Sequence, residues 1–216
     1  MEKPSFQIVK NDINSFISFG MKTAIVFNPK IGGDFFGNPA TISSRHFDVA
    51  SEDDYLKEHG NIHDNSCFLF ELSDGASIQI FYEFKKKYRK KMYLSKMNLA
   101  YLPPVDEDTG KIRNEYIRAD YDSEVNNSFF HPDVHLHIGF SNSIRIPLNH
   151  LFTLSDFCHL IFYLFYNDHY LKMVEKTSAI SHTFSSGEKD VLSNCHVIST
   201  ELLDKCYLKV NFTGRD

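Results

Sequence analysis

The spacing of apolar residues changes period twice along the chain and divides it into three stretches. In the first, Phe6, Val9, Ile13, Phe16 and Ile17 fall at helical spacing and Gly20 follows as a stop signal, which predicts a helix over 6–17. Thr23–Asn28 reads as a short strand entering a loop with three glycines. That loop lacks the Gly-Lys-Ser/Thr ending of a phosphate-binding loop and opens no clear helix, so it is expected to be an ordinary surface loop. "SEDDYLKEHGN", residues 51–61, reads as a short acidic helix ended by Gly60.

From Ser66 the period shortens to two. "SCFLFEL" leads into the hairpin turn "SDGA", and "SIQIFYEF" then alternates, with Ile78, Ile80, Tyr82 and Phe84 on one face. "MYLSKMNLAYL" is ended by Pro103 and Pro104. After the polar loop "VDEDTGKIRN" come "EYIRADYD", "DVHLHIGF", a turn at Ser141–Ser143 and "IRIPL". About six strands in sequence order with short links make an antiparallel meander the simplest topology.

The helical period returns at Thr153, which is spaced from Asp156 as in a capping box. Phe157, Leu160, Ile161, Leu164 and Phe165 form one face, and Cys158, Phe162 and Tyr163 make the helix apolar nearly all round. It is therefore expected to lie against the sheet or an interface. Residues 177–190 read as a polar, serine-rich loop, and 195–212 as a short helix and a final strand. With no internal repeat and no long linker, the chain is expected to be a single α+β domain over 1–216. Its antiparallel meander of about six strands would be packed by N-terminal and C-terminal helices.

Composition adds limits. The 216 residues, 42% of them hydrophobic, can bury one core. A net charge of −5 offers polyanions no global field, so nucleic-acid binding needs a local patch. Cys67, Cys158, Cys195 and Cys206 show no Cys-x-x-Cys spacing and are expected to be buried free thiols of a reduced cytoplasm rather than a zinc or disulfide set. The acid-bearing start "MEKPSFQIVKNDINSF" is unlike a signal peptide. The unbroken apolar part of "HLFTLSDFCHLIFYLFY" is about half of the ~20 residues a membrane span needs. A soluble cytoplasmic protein without membrane contact is expected.

The candidate chemistry comes from strand alternation. In "DVHLHIGF", Val134, Leu136, Ile138 and Phe140 point one way, and Asp133, His135, His137 and Gly139 the other. Across the turn Ile144 and Ile146 join the apolar set and Arg145 the histidines. In the preceding strand Ile117, Ala119 and Tyr121 oppose Tyr116, Arg118, Asp120 and Asp122. If these strands are neighbours, one face gathers Arg118, Asp120, Asp122, His135, His137 and Arg145. Histidines of near-neutral pKa serve as general acid and base, arginines hold a phosphodiester, and aspartates orient an imidazole or bind a divalent ion. The catalytic candidates are His135, His137, Arg145, Arg118 and Asp120. The face matches neither the phosphodiesterase motifs with Ser or Thr two residues after each histidine nor the histidine-triad pattern, where Gly139 stands in the third position. The alternative is a solvated polar face stabilised by cross-strand pairs, each worth about 0.2–1 kcal/mol. His131 is a weaker candidate in the entry loop, and His159 is expected to be a satisfied core histidine.

A second feature is "FKKKYRKKMY". Lys85, Lys86, Lys87, Arg89, Lys90 and Lys91 surround Tyr88, six cations in seven residues at the tip of a long hairpin. They are candidates for phosphate backbone, with Tyr88 free to stack on a base. The alternative is a charged tip that blocks edge-to-edge aggregation.

Residues 114–170 also resemble a bacterial family of unknown function in which a Y-x-R-x-D strand precedes an H-x-H-I-G strand, an R-I-P turn and an aromatic helix. The matching positions are Tyr116, Arg118, Asp120, His135, His137, Gly139, Arg145 and Pro147. The resemblance implies small cytoplasmic proteins of mobile or defence-type gene neighbourhoods and assigns no residue a role. Three functions follow as expectations. The first is a non-catalytic subunit of a bacterial antiphage assembly, contacting DNA or RNA through the basic hairpin and a protein partner through the 154–170 helix or the sheet face, with no cofactor. The second is a metal-independent nuclease or phosphodiesterase toxin acting through the His/Arg face. The third, weaker, is a metal-binding module formed by His135, His137 and Asp120.

Overall fold

The computed structural model of the chain describes residues 4–22, 24–32, 35–44, 49, 51–86, 92–124, 132–140, 145–148 and 151–166. One antiparallel sheet of seven strands organises them: β1 (Thr41–Ser43), β2 (Phe70–Glu71), β3 (Ser77–Lys86), β4 (Met92–Leu102), β5 (Ile117–Asp122), β6 (Val134–Ile138) and β7 (Ile146–Pro147). From β2 to β7 each strand pairs with the next in the chain, so the meander is present. The addition is β1, which shares β3 with β2: it lies opposite Phe81–Glu83, while β2 lies opposite Ser77–Ile78.

Two helices, α1 (Phe6–Lys22) and α3 (Leu154–Phe165), cover the apolar face. Val9, Ile13 and Phe16 of α1 and Phe157, Leu160 and Ile161 of α3 pack with Ile80, Leu99, Ala119 and Leu136 of the sheet. Phe16 stacks between Phe70 and Phe162, at centroid distances of 5.8 and 6.3 Å. The capping box at Thr153 forms as the spacing predicts. Asp12 of α1 ties the two helices together, accepting from the Leu154 N–H at 2.8 Å and from the Ser155 hydroxyl at 2.6 Å. His159 and Cys158 are buried in this core, and Cys67 is a partly buried free thiol.

The opposite face is half covered. A helix between β1 and β2, α2 (Glu52–Asp64), lays Tyr55 and Ile62 on Ala100, Leu102 and Tyr116. Elsewhere on the sheet Phe81, Asn98, Asp120, His135 and His137 form the wall of a cavity that no α2 residue lines.

Several local expectations are corrected. Gly20 does not stop α1. It lies buried inside it, where a Cβ would sit 2.2 Å from Val26 Cγ2, so the glycine serves close packing of the returning chain. Gly60 likewise lies within α2, which is capped at Ser51 and runs on to Asp64. Thr23–Asn28 forms no strand among its described residues; only Phe27 bridges Glu71, with Ala24 and Asn28 at positive φ. In β4 the register slips so that Glu83 faces Lys96 and Phe84 faces Leu94. Ser95 is the extra residue, which brings Leu94 and Met97 to the same core face despite their odd spacing.

The alternation read for "DVHLHIGF" also breaks at its end. Gly139 has φ +75 and donates its N–H to the Tyr116 carbonyl at 2.7 Å. The chain changes face there. Ile138 is left 37% exposed, and Phe140 stacks on Tyr116 at 5.0 Å on the α2 side rather than joining Val134 and Leu136. No helix among the described residues is long and apolar enough to cross a membrane.

Candidate active site

The site is built by register. β5 alternates buried and half-buried positions, with Ile117, Ala119 and Tyr121 in the core, so Arg118, Asp120 and Asp122 face the α2 side. Asp120 lies opposite Asn98 on β4 and His135 on β6, and Arg118 lies opposite His137. The short pairing of β7 with β6 brings Arg145 to the same place. All six residues grouped by alternation therefore line one cavity of about 290 Å³, together with Phe81, Lys96 and Asn98.

The face is not a solvated one. His135 is 4% exposed and His137 1%. Asp120 is the hub between them. Its Oδ1 accepts from Asn98 Nδ2 at 2.8 Å and its Oδ2 from Arg118 Nε at 2.9 Å. The same Oδ2 lies 3.2 Å from His137 Nε2 and 3.7 Å from His135 Nε2. Burial pushes the Asp120 carboxyl up, but close contact with His137 and the charges of Arg118 and the histidines outweigh it and hold the group below its ordinary value. Asp120 is thus an anion inside the protein. His135 Nδ1 lies 2.8 Å from the Pro132 carbonyl. A carbonyl only accepts, so this nitrogen carries the proton and the tautomer is set. The two rings meet edge to face at 4.8 Å.

Unpaired polar atoms concentrate here. Among the described residues seven buried side-chain atoms lack a hydrogen-bond partner, and four of them belong to this cavity: Asn98 Oδ1, both ring nitrogens of His137, and Arg145 Nε. His137 Nε2 meets Asp120 at 3.2 Å as an ion-pair contact without hydrogen-bond geometry. Each such atom costs about 1–3 kcal/mol to bury unpaired. A protein that needed this face only for folding would have gained stability by filling it with paired or apolar side chains.

A family model described as an uncharacterised conserved protein, DUF2290, matches residues 39–199. The chain belongs to that family. No curated protein and no solved structure matches it. The span matched to DUF2290 includes all seven strands, α2, α3 and the whole cavity, whereas α1 precedes it. The family resemblance seen at residues 114–170 lies within the same span.

Five cavity residues of this DUF2290 member escaped the sequence reading: Phe81, Lys96, Met97 and Asn98, and Tyr121, which alternation assigned to the opposite face. The available signal was Asn98, a polar residue set between Met97 and Leu99 in an apolar strand. Lys96 pairs with Asp122 at 2.9 Å at the rim. Of the resembling positions, Tyr116 packs with α2 and its carbonyl accepts from the Gly139 N–H, and Pro147 lies opposite His135.

The basic run is only partly within reach. Pairing of Lys86 with Met92 places the connection of a long hairpin at 87–91, as read from the sequence. Lys87, Tyr88, Arg89, Lys90 and Lys91 themselves lie outside the described residues, as do His131, His150, His169, Ile144, Cys195 and Cys206. Lys85 is held in ion pairs by Glu124 and, at 3.7 Å, by Glu83, while Lys86 is exposed.

Proposed function

We propose that this cavity binds and cleaves a phosphodiester, which makes the protein a nuclease or phosphodiesterase. The observation that carries the reading is the convergence of four unpaired buried polar atoms on one cavity that also holds two guanidinium groups. Arg118 and Arg145 supply donors for the non-bridging oxygens and for the charge that grows on them in the transition state. Asn98 Oδ1 awaits a donor, which a sugar hydroxyl provides. The Asp120–His135–His137 cluster activates the attacking oxygen, the 2′-hydroxyl where the substrate is RNA and water otherwise. The basic hairpin would lengthen the contact along a polynucleotide.

The test uses the full chain with labelled RNA, labelled DNA and an activated aryl phosphodiester. Cleavage by the wild type that drops by roughly a hundredfold or more in His137→Ala, within the range of general acid–base contributions, supports the proposal. Absence of cleavage of all three substrates, or undiminished cleavage by a folded His137→Ala, removes it.

A second reading, the non-catalytic subunit of a defence-type assembly, is favoured by a different observation. Ile8 and Met21 of α1 and Tyr163 and Leu164 of α3 are 58%, 55%, 50% and 46% exposed, more apolar surface than two short helices need to show. It predicts self-association or a copurifying partner, with no loss of function in His137→Ala.

A further inference from the structure

We propose that Asp120, His135 and His137 hold one first-row divalent metal ion, of which zinc is the representative. The inference concerns the same cavity and rests on reading it as a reaction site; it specifies how the attacking oxygen is activated there.

The three side chains offer one carboxylate oxygen and two imidazole nitrogens, all within 4.8 Å of one another. Metal–ligand bonds of about 2.0–2.2 Å in a tetrahedral arrangement separate the ligand atoms by roughly 3.4 Å. The distances from Asp120 Oδ2 to His137 Nε2 and His135 Nε2, 3.2 and 3.7 Å, bracket that value. His137 Nε2 lies 3.2 Å from Asp120 Oδ2 without hydrogen-bond geometry, and its Nδ1 has no hydrogen-bond partner in a side chain only 2% exposed.

His135 carries the arrangement that metal-binding histidines use. Its Nδ1–H is fixed on the Pro132 carbonyl, so the lone pair of the neutral ring is on Nε2, the atom on the Asp120 side. In that form Nε2 is a ready ligand atom, 3.7 Å from the Asp120 oxygen that would share the ion. Asp120 is likewise supported from outside: Asn98 holds Oδ1, and Arg118 occupies one lone pair of Oδ2, leaving the other for the ion.

The donor set selects the class. Two imidazoles and one carboxylate suit zinc, manganese or iron(II) and disfavour calcium and magnesium, which take oxygen ligands. Three protein ligands leave positions open, as reaction sites do and closed structural sites do not. A water on the ion would lose its proton near neutral pH and attack phosphorus. The ester oxygen would leave with a proton from solvent, and Arg118 and Arg145 would hold the remaining phosphate oxygens.

The experiment strips the full chain with a chelator and titrates it with Zn²⁺ by calorimetry and with Co²⁺ by its visible d–d absorption. One equivalent per chain is expected. Affinity should fall roughly tenfold or more in His137→Ala and Asp120→Asn, and roughly tenfold in Asn98→Ala, which touches the ion only through Asp120. His63→Ala, on α2 outside the cavity, should keep the full affinity. Zinc should raise the melting temperature of the wild type and of His63→Ala alike, that of Asn98→Ala less, and those of His137→Ala and Asp120→Asn least. If His137→Ala does not fold, Asp120→Asn and Asn98→Ala carry the same comparison. A wild type that takes up neither ion stoichiometrically, or affinity unchanged in Asp120→Asn and Asn98→Ala, overturns the inference. Cleavage that persists in the metal-free protein overturns it too and leaves the proposed function standing. One bound ion without cleavage of any substrate supports the metal site and overturns the proposed function.

Discussion

Replacing Asp12 with asparagine should make the stability of this protein more sensitive to acid. Asp12 joins α1 to the first turn of α3, and burial pushes its carboxyl from the ordinary 3.8 to about 6 despite the hydrogen bonds from Ser155 and Leu154. His159, buried in the same core, is pushed by that burial from 6.5 down to about 4. The two act in opposite directions. Between pH 3.8 and about 6 the folded state binds the Asp12 proton more tightly than the unfolded chain, so this group adds stability in acid and loses it as pH rises through about 6. Between 6.5 and about 4 the folded state binds the His159 proton less tightly, so that group loses stability as pH falls. Each displacement corresponds to about 3 kcal/mol, and in the wild type the two nearly cancel.

In Asp12→Asn the new side chain keeps both bonds to α3, its carbonyl accepting from the Leu154 N–H and its amide donating to Ser155 Oγ, but it does not ionise. The variant should therefore be more stable than the wild type at pH 7 by up to about 3 kcal/mol, with the advantage gone near pH 4. The competing effect is attraction between a carboxylate and the α3 N-terminus, worth up to about 2 kcal/mol. Urea unfolding followed by far-ultraviolet circular dichroism suits a chain with no tryptophan. Parallel pH profiles for the two proteins, or a variant less stable at pH 7, would show that the helix dipole outweighs desolvation and would refute the reasoning.

Four further outcomes follow from the structure. His159→Leu should remove the opposite half of the balance, so that stability rises rather than stays level as pH falls from about 6.5 to about 4, read by the same urea series. Gly20→Ala should cost about 1–3 kcal/mol through overpacking on Val26, and adding Val26→Ala should return part of it; a single variant at full stability would disprove the close approach. Gly139→Ala should cost about 1–2 kcal/mol because its φ of +75 is strained for any other residue, with loss of near-ultraviolet tyrosine dichroism as Phe140 leaves Tyr116. Asn98→Ala should lower phosphodiester cleavage more than it lowers stability, since it frees the carboxylate that sits between the two histidines; equal effects on both would make Asn98 merely structural.

Much of this protein is determined locally and is legible in the chain itself. Period-two runs from "SIQIFYEF" to "IRIPL" specify strands, short links force them into a meander, and the Thr153–Asp156 spacing specifies where α3 begins. Alternation alone collects Arg118, Asp120, His135, His137 and Arg145 on one face, because the side-chain period of a strand is a property of the backbone. What alternation does not carry is depth and coverage. Glycines 20 and 60 read as helix ends, but one makes room for Val26 and the other rides inside α2, since packing partners are distant in sequence. The Ser95 slip and the left-handed turn at Gly139 each change parity at a point that no hydrophobic pattern marks. Above all, only the tertiary structure set β3, β4, β5 and β6 side by side with Arg145 and placed Asn98 beside Asp120. A row of polar side chains, indifferent in water, thereby became a cavity in which ionic and hydrogen-bonding groups are withdrawn from solvent and left facing one another. There the lower dielectric makes each unpaired atom costly and each charge strong.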